Sequence, residues 1–208
     1  EGQVLYDSPF ISADGTILLF SSNLNSGIGA QDLYMCKKDE KGNWGESENL
    51  GPIVNTPAME SSPFLYADNK TLFFSSNGHP GLGKMDIYRT VLENGQWSKP
   101  EPLGAPINSA AVDYYFSVSA VGGYAYFVSD RDKEHDFNIY QTAVKENILP
   151  EKVVLLSGII RNSKDESPLN AEICIEDLDK QEKVAQLYSD TENGSYSVSL
   201  IKGRSYSI

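Results

Sequence analysis

The stretch Ser8-Pro9-Phe10-Ile11-Ser12-Ala13-Asp14-Gly15 returns 54 residues later as Ser62-Pro63-Phe64-Leu65-Tyr66-Ala67-Asp68-Asn69. That recurrence constrains the rest of the chain. The first copy continues through Leu18-Leu19-Phe20-Ser21-Ser22-Asn23, Gly27-Ile28-Gly29, Asp32-Leu33-Tyr34, Trp44 and Leu50-Gly51. The second continues through Leu72-Phe73-Phe74-Ser75-Ser76-Asn77, Gly81-Leu82-Gly83, Asp86-Ile87-Tyr88, Trp97 and Leu103-Gly104. A third, eroded copy keeps Tyr115-Phe116-Ser117-Val118-Ser119-Ala120, Tyr126-Phe127-Val128-Ser129-Asp130 and Asn138-Ile139-Tyr140. Repeats of this length mark an array or a propeller, in which each unit buries its apolar face only against its neighbour.

One repeat reads as four short antiparallel strands. Phe10–Ser12 is the first, and Asp14-Gly15 turns into Thr16–Ser21. The Asn-, Ser- and Gly-rich Ser22–Gln31 is a loop, Asp32–Lys37 returns, Lys41-Gly42-Asn43 turns, and Trp44–Leu50 closes the unit. The second repeat turns at Asp68-Asn69 and Asn94-Gly95, and its Thr71–Ser76 strand suits burial between neighbouring sheets. Four such strands make one propeller blade. About three blades fall short of the roughly 4–8 that close a ring, so the chain is expected to be a piece of a longer protein.

After Tyr140 the texture changes. Residues 144–152 read as a linker, with Pro150 against helix or central strand. Residues 153–208 carry strand-like runs at Val153–Ile160, Ala171–Glu176 and Tyr196–Leu200. The expected fold is therefore all-β: propeller repeats over 1–143, a linker, and a small second β-domain.

A residue placed alike in successive repeats is more cheaply explained as scaffold than as active site. Asp32 and Asp86, Tyr34 and Tyr88, Trp44 and Trp97, and the Gly-x-Gly pairs are read this way. The aspartates are expected to hydrogen-bond the Ser-Ser-Asn turn, and the tryptophans to pack between blades. The residues that break the repeat are the candidate partner-binding set: Asp113 and Tyr114, which replace Glu60-Ser61, and Asp130, Arg131 and His135 in place of the glycine-rich loop.

Charge and composition exclude several classes. The net charge is −12, of which −3 lies in residues 153–208 (6 basic, 9 acidic) and −9 in the remainder. This argues against nucleic acid or an anionic membrane surface as partner. No apolar run is long enough to span a membrane as a helix. Cys36 and Cys174 sit in separate strand-like runs, where each is expected to be a small buried hydrophobe rather than half of a disulfide or a metal site. Only His79 and His135 are available as neutral-pH bases, and no Gly-x-Ser-x-Gly elbow accompanies them. Ser12-Ala13-Asp14-Gly15-Thr16 departs from a sialidase box, and Asp177-Leu178-Asp179 lacks the rest of a calcium loop. No catalytic residue, metal or cofactor is assigned, and the chain is expected not to be an enzyme.

Ser-Pro-x-x-Ser-x-Asp-Gly, Phe-Ser-Ser-Asn, Gly-x-Gly and Asp-[Ile/Leu]-Tyr, in that order, resemble the WD-like propeller repeats of TolB-type proteins. The form with Trp97, Pro100-Glu101-Pro102-Leu103-Gly104 and Pro106-Ile107-Asn108 resembles the version in OmpA-family outer-membrane lipoproteins of Bacteroidetes type. The run from Val153 through Ser189-Asp190-Thr191-Glu192-Asn193-Gly194-Ser195-Tyr196 resembles the carboxypeptidase-regulatory-like domain, a transthyretin-like β-sandwich. Together they are similar to the middle of PorE-type components of type IX secretion and gliding machinery. The resemblance implies a periplasmic, outer-membrane-associated scaffold whose partners are other envelope proteins. Peptidoglycan would be gripped only by an OmpA-type module that is not among these residues. The alternative carried forward is a glycan or peptide ligand held in the propeller channel.

Overall fold

The computed structural model describes residues 3–39, 41–118, 123–144, 148 and 152–208. Ser119 and Ala120 of the third copy, and residues 145–147 and 149–151 of the expected linker, lie outside that set. Among the described residues the chain is all-β, with no helix and several small sheets, none closed into a barrel.

The three sequence copies give three antiparallel sheets. The first runs β1 (Tyr6–Ile11), β2 (Ile17–Ser22), β3 (Asp32–Lys37) and β4 (Glu48–Asn49) in sequence order. The second runs β5 (Glu60–Leu65), β6 (Thr71–Ser76), β7 (Asp86–Glu93) and β8 (Gln96–Trp97), with β9 (Glu101–Pro102) also on β7. The third holds β10 (Asp113–Val118), β11 (Tyr124–Ser129) and β12 (Asn138–Ala143). The opening strand begins at Tyr6, earlier than the expected Phe10, and the closing strand of the first repeat shrinks to two residues.

Each opening strand carries a β-bulge at one matching place, with Ser8, Ser62 and Tyr115 in left-handed backbone at φ of 50°, 51° and 54°. A bulge bends and twists its strand. Strict alternation then sends one side chain set to each neighbouring sheet. Leu19, Leu33 and Met35 of the first sheet meet Leu65, Leu72 and Phe74 of the second. Phe73 and Ile87, on the other face of the second sheet, meet Phe116, Ala125 and Phe127 of the third. Leu72, Phe73 and Phe74 are wholly buried, which explains the continuous apolar run of β6. Full burial of each such side chain stabilises the fold by about 1.5–3 kcal/mol.

Polar side chains join the same seams. Asn55 pairs with both the N–H and the C=O of Leu33, at 2.9 and 3.0 Å, in the manner of an extra strand residue. Asn108 repeats this on Ile87, at 2.9 and 2.9 Å.

Residues 153–208 form two further sheets. β13 (Val153–Ile159) pairs with β16 (Ser195–Ile201), while β14 (Glu172–Asp177) lies between β15 (Glu182–Tyr188) and β17 (Tyr206–Ser207). Ile173, Ile175, Val198 and Leu200 form their shared core. Arg204 reaches the buried Asp177 at 2.9 Å and holds its carboxyl below the usual range. Cys36 is buried and free as expected, whereas the free Cys174 is exposed, because it alternates outward between the buried Ile173 and Ile175.

Candidate functional site

The repeated aspartates serve the Gly-x-Gly loop, which corrects the expectation that they bond the Ser-Ser-Asn turn. Asp86 accepts the N–H groups of Leu82 and Gly83 at 2.7 and 2.8 Å, and Asp32 accepts from Gly29 at 2.9 Å. Both glycines of the motif are explained by crowding. A Cβ on Gly81 would lie 2.1 Å from the Asp86 carboxylate, and one on Gly83 would lie 2.3 Å from the Ser109 carbonyl of the next repeat. Tyr88 donates its hydroxyl to the His79 carbonyl at 2.9 Å, and burial with Asp86 nearby pushes its pKa up to about 12. Trp97 packs on the core between the first two sheets, but Trp44 is 41% exposed under the Lys38 ammonium, so only one tryptophan fills a seam.

The residues that break the repeat turn out to occupy repeat positions. Asp130 takes the place of Asn23 and Asn77. All three accept one backbone N–H from the segment before the opening strand: Leu5, Met59 and Val112, at 2.7, 2.9 and 2.9 Å. Asp113 takes the buried seat of Glu60. Glu60 accepts from Thr56 and Ser76, while Asp113 accepts from Ser109 and from the Arg131 guanidinium at 2.7 Å. Burial pushes the Glu60 carboxyl up, against the hydrogen bonds it accepts.

Arg131 in turn takes the role that His79 plays one seam earlier. His79 lies between Phe74 and Tyr88, and its Nε2 donates to the Val54 carbonyl at 2.8 Å. Arg131 stacks 4.8 Å from both Phe127 and Tyr140, and donates to the Pro106 and Ile107 carbonyls at 2.7 and 2.6 Å. Asp113, Asp130 and Arg131 therefore spend their polar atoms on contacts within the chain, and Asp113 and Asp130 are buried. Tyr114 and His135 do reach the surface; the His135 backbone N–H donates to Asp130 at 3.0 Å.

Apart from these seams, a groove of about 450 Å³ lies where the three opening strands converge. Repeat-equivalent positions line it: Asp7 and Ser8, Ser61 and Ser62, Tyr114 and Tyr115, and, ahead of each third strand, Gln31, Met85 and Phe137. Its character grades from polar at the first repeat to aromatic at the third. Tyr114 lies 4.7 Å from Tyr115 and 5.3 Å, edge-on, from Phe137. Burial pushes the Tyr114 hydroxyl pKa up, with Tyr115 and Asp130 adding to the shift. Met59 adds a flexible thioether, and Lys84, paired with Glu134, stands at the rim. Such a lining suits apolar and aromatic side chains held by ring contacts and hydroxyl hydrogen bonds. Met59, Met85 and Phe137 went unread in the sequence; the signal for the last two was that Gln31, Met85 and Phe137, equivalent by repeat, turn progressively apolar, while Met59 shares an apolar position with Leu5 and Val112.

No His, Cys, Asp and Glu cluster suited to a metal ion is found among the described residues, and no helix there is long and apolar enough to cross a membrane.

No family model and no curated protein matches the chain. A solved structure it resembles is a puromycin-hydrolyzing peptidase from Mycobacterium tuberculosis, at 14% identity and a TM-score of 0.44. The match covers 87% of this chain and 31% of that one, so this chain spans less than a third of the peptidase. That neighbour overturns the expectation that the chain is not an enzyme, since a hydrolase stands among the structures it resembles. A likeness so distant assigns no activity.

Proposed function

We propose that this chain is a protein-interaction scaffold: β-propeller repeats of the TolB/WD-like kind over 1–143, followed by a transthyretin-like sandwich over 153–208. In this reading it works in the periplasm, at the outer-membrane side, as part of an OmpA-family lipoprotein that docks other envelope proteins in a secretion or motility assembly. One observation carries the proposal. The groove joins Tyr114 and Tyr115, whose counterparts in the other repeats are Asp7, Ser8, Ser61 and Ser62, with Phe137, whose counterparts are Gln31 and Met85, and the three rings lie in one contiguous group. Aromatic side chains at a groove centre are the usual anchors of protein contacts.

The test is co-purification from the native envelope of the full-length protein, comparing wild type with Tyr115→Ser/Phe137→Ser. Loss of a defined envelope protein from the variant supports the scaffold. An unchanged partner set overturns the groove's role. Turnover of puromycin by the purified chain, abolished by a single substitution, would replace the scaffold with a hydrolase.

A further inference from the structure

The docking groove has a sign as well as a shape. Asp7 and Lys84 are the charged residues of its lining. Lys84 is paired with Glu134 at the rim, so its charge is neutralised within the chain. Asp7 forms no ion pair among the described residues. It stands exposed, and its Oδ1 accepts the Ser8 N–H at 2.7 Å. A second carboxylate, Asp130, is buried behind the lining residue Val112, whose N–H it accepts at 2.9 Å. Aromatic faces carry negative charge density, and Tyr115 and Phe137 are 48% and 43% exposed. A cleft lined by one sign of charge draws the opposite sign.

The molecule shows elsewhere what such a set of groups holds. Arg131 stacks 4.8 Å from both Phe127 and Tyr140 while its guanidinium donates to Asp113 at 2.7 Å. One planar cation there satisfies two rings and a carboxylate. Arginine suits such a place better than lysine, because its guanidinium stacks flat, sheds water more easily and offers several N–H donors in one plane. The groove presents the same kinds of group in Tyr115, Phe137 and Asp7, and no arginine of the chain is among its lining residues.

We propose that the partner segment seated in this groove carries an arginine, its guanidinium lying on the Tyr115 and Phe137 rings and pairing with the Asp7 carboxylate. The inference rests on the groove being a protein-docking site and adds the chemistry of what docks there. The polar side of the groove, at Ser8, Ser61 and Ser62, offers hydroxyls that donate to or accept from the main chain of the same segment. A basic segment also matches the charge of −9 on residues 1–152, which is the total of −12 less the −3 of residues 153–208. Opposite charge of this kind speeds encounter and selects among partners.

The test begins with a photoreactive residue at position 59, on the groove wall and 37% exposed. In cells making the full-length protein it captures the docked segment, which mass spectrometry then maps. That segment is synthesised twice, once with its arginine and once with citrulline, which keeps the planar shape without the charge. Both peptides are titrated against the 208-residue chain. The arginine peptide should bind on the order of tenfold more tightly. Asp7→Asn keeps the bond to Ser8 and should cut that advantage to about threefold or less, with circular dichroism unchanged. A captured segment without arginine overturns the proposal. So does equal binding of the two peptides, a comparison that needs no variant, or an advantage that Asp7→Asn leaves intact. Each of these results leaves the groove standing as a docking site. No adduct from position 59 overturns the docking reading and this proposal with it.

Discussion

Arg131→Ala tests whether the odd residues of the third repeat are seam glue. The side chain donates to two backbone carbonyls, to Ser129 Oγ at 3.1 Å and to Asp113 Oδ1 at 2.7 Å, and stacks on two rings. Truncation leaves a fully buried carboxylate facing no cation and two carbonyls without donors. Breaking a buried pair from one side costs about 3–5 kcal/mol. Because the arginine side chain is 21% exposed, water can enter to replace part of what is lost, and about 3 kcal/mol is expected. Arg131→Lys keeps the charge but loses the planar fork and the stacking, at about 1–2 kcal/mol. Urea unfolding followed by circular dichroism supplies both values. A double-mutant cycle with Asp113→Asn should give a coupling of about 1–3 kcal/mol. A loss under about 1 kcal/mol for Arg131→Ala, or a coupling near zero, would refute the internal role and return Arg131 to the partner surface.

Gly83→Ala should destabilise the chain by about 1–3 kcal/mol by forcing the loop off the Ser109 carbonyl; chemical denaturation measures it. Glu60 has its folded pKa raised by burial, so its contribution is complete below the ordinary 4.5 and is lost as pH rises through the folded value. Glu60→Gln should therefore gain stability relative to wild type as pH rises from 4.5 toward neutrality, read from melts across that range. Asp177 has the opposite sign: its folded pKa is lowered, chiefly by Arg204, so its contribution holds above 3.8 and is lost as pH falls through the folded value. Asp177→Asn should flatten that acid-side loss in acid titration. Tyr115→Gly suits the left-handed backbone at φ 54° and should change stability by no more than about 1 kcal/mol, while removing a groove ring.

The repeats, their turns and the buried β6 run were legible because each unit writes the same period and the same turn residues. The aspartate's partner was misread because the sequence shows Asp86 beside Ser76 across a hairpin, while Gly81 and Gly83 bring the loop backbone back over it. Asp113, Asp130 and Arg131 looked exceptional because residue type, not position, was compared. Glu60 and Asn77 hold the seats of Asp113 and Asp130 with different chemistry, and His79, one residue out of register with Arg131, bonds the equivalent carbonyl. The groove is assembled from three separate strands, so no contiguous motif announces it. The exposure of Cys174 followed alternation that was not extended that far along β14.

The most direct measurement is photo-crosslinking in cells from position 115 of the full-length protein, with position 192, on an exposed turn, as control. The expected result is a discrete adduct with an envelope protein from 115 alone, lost when Tyr114 and Phe137 are both changed to serine. Absence of any adduct from 115, or an equal adduct from both positions, would contradict the scaffold and its groove.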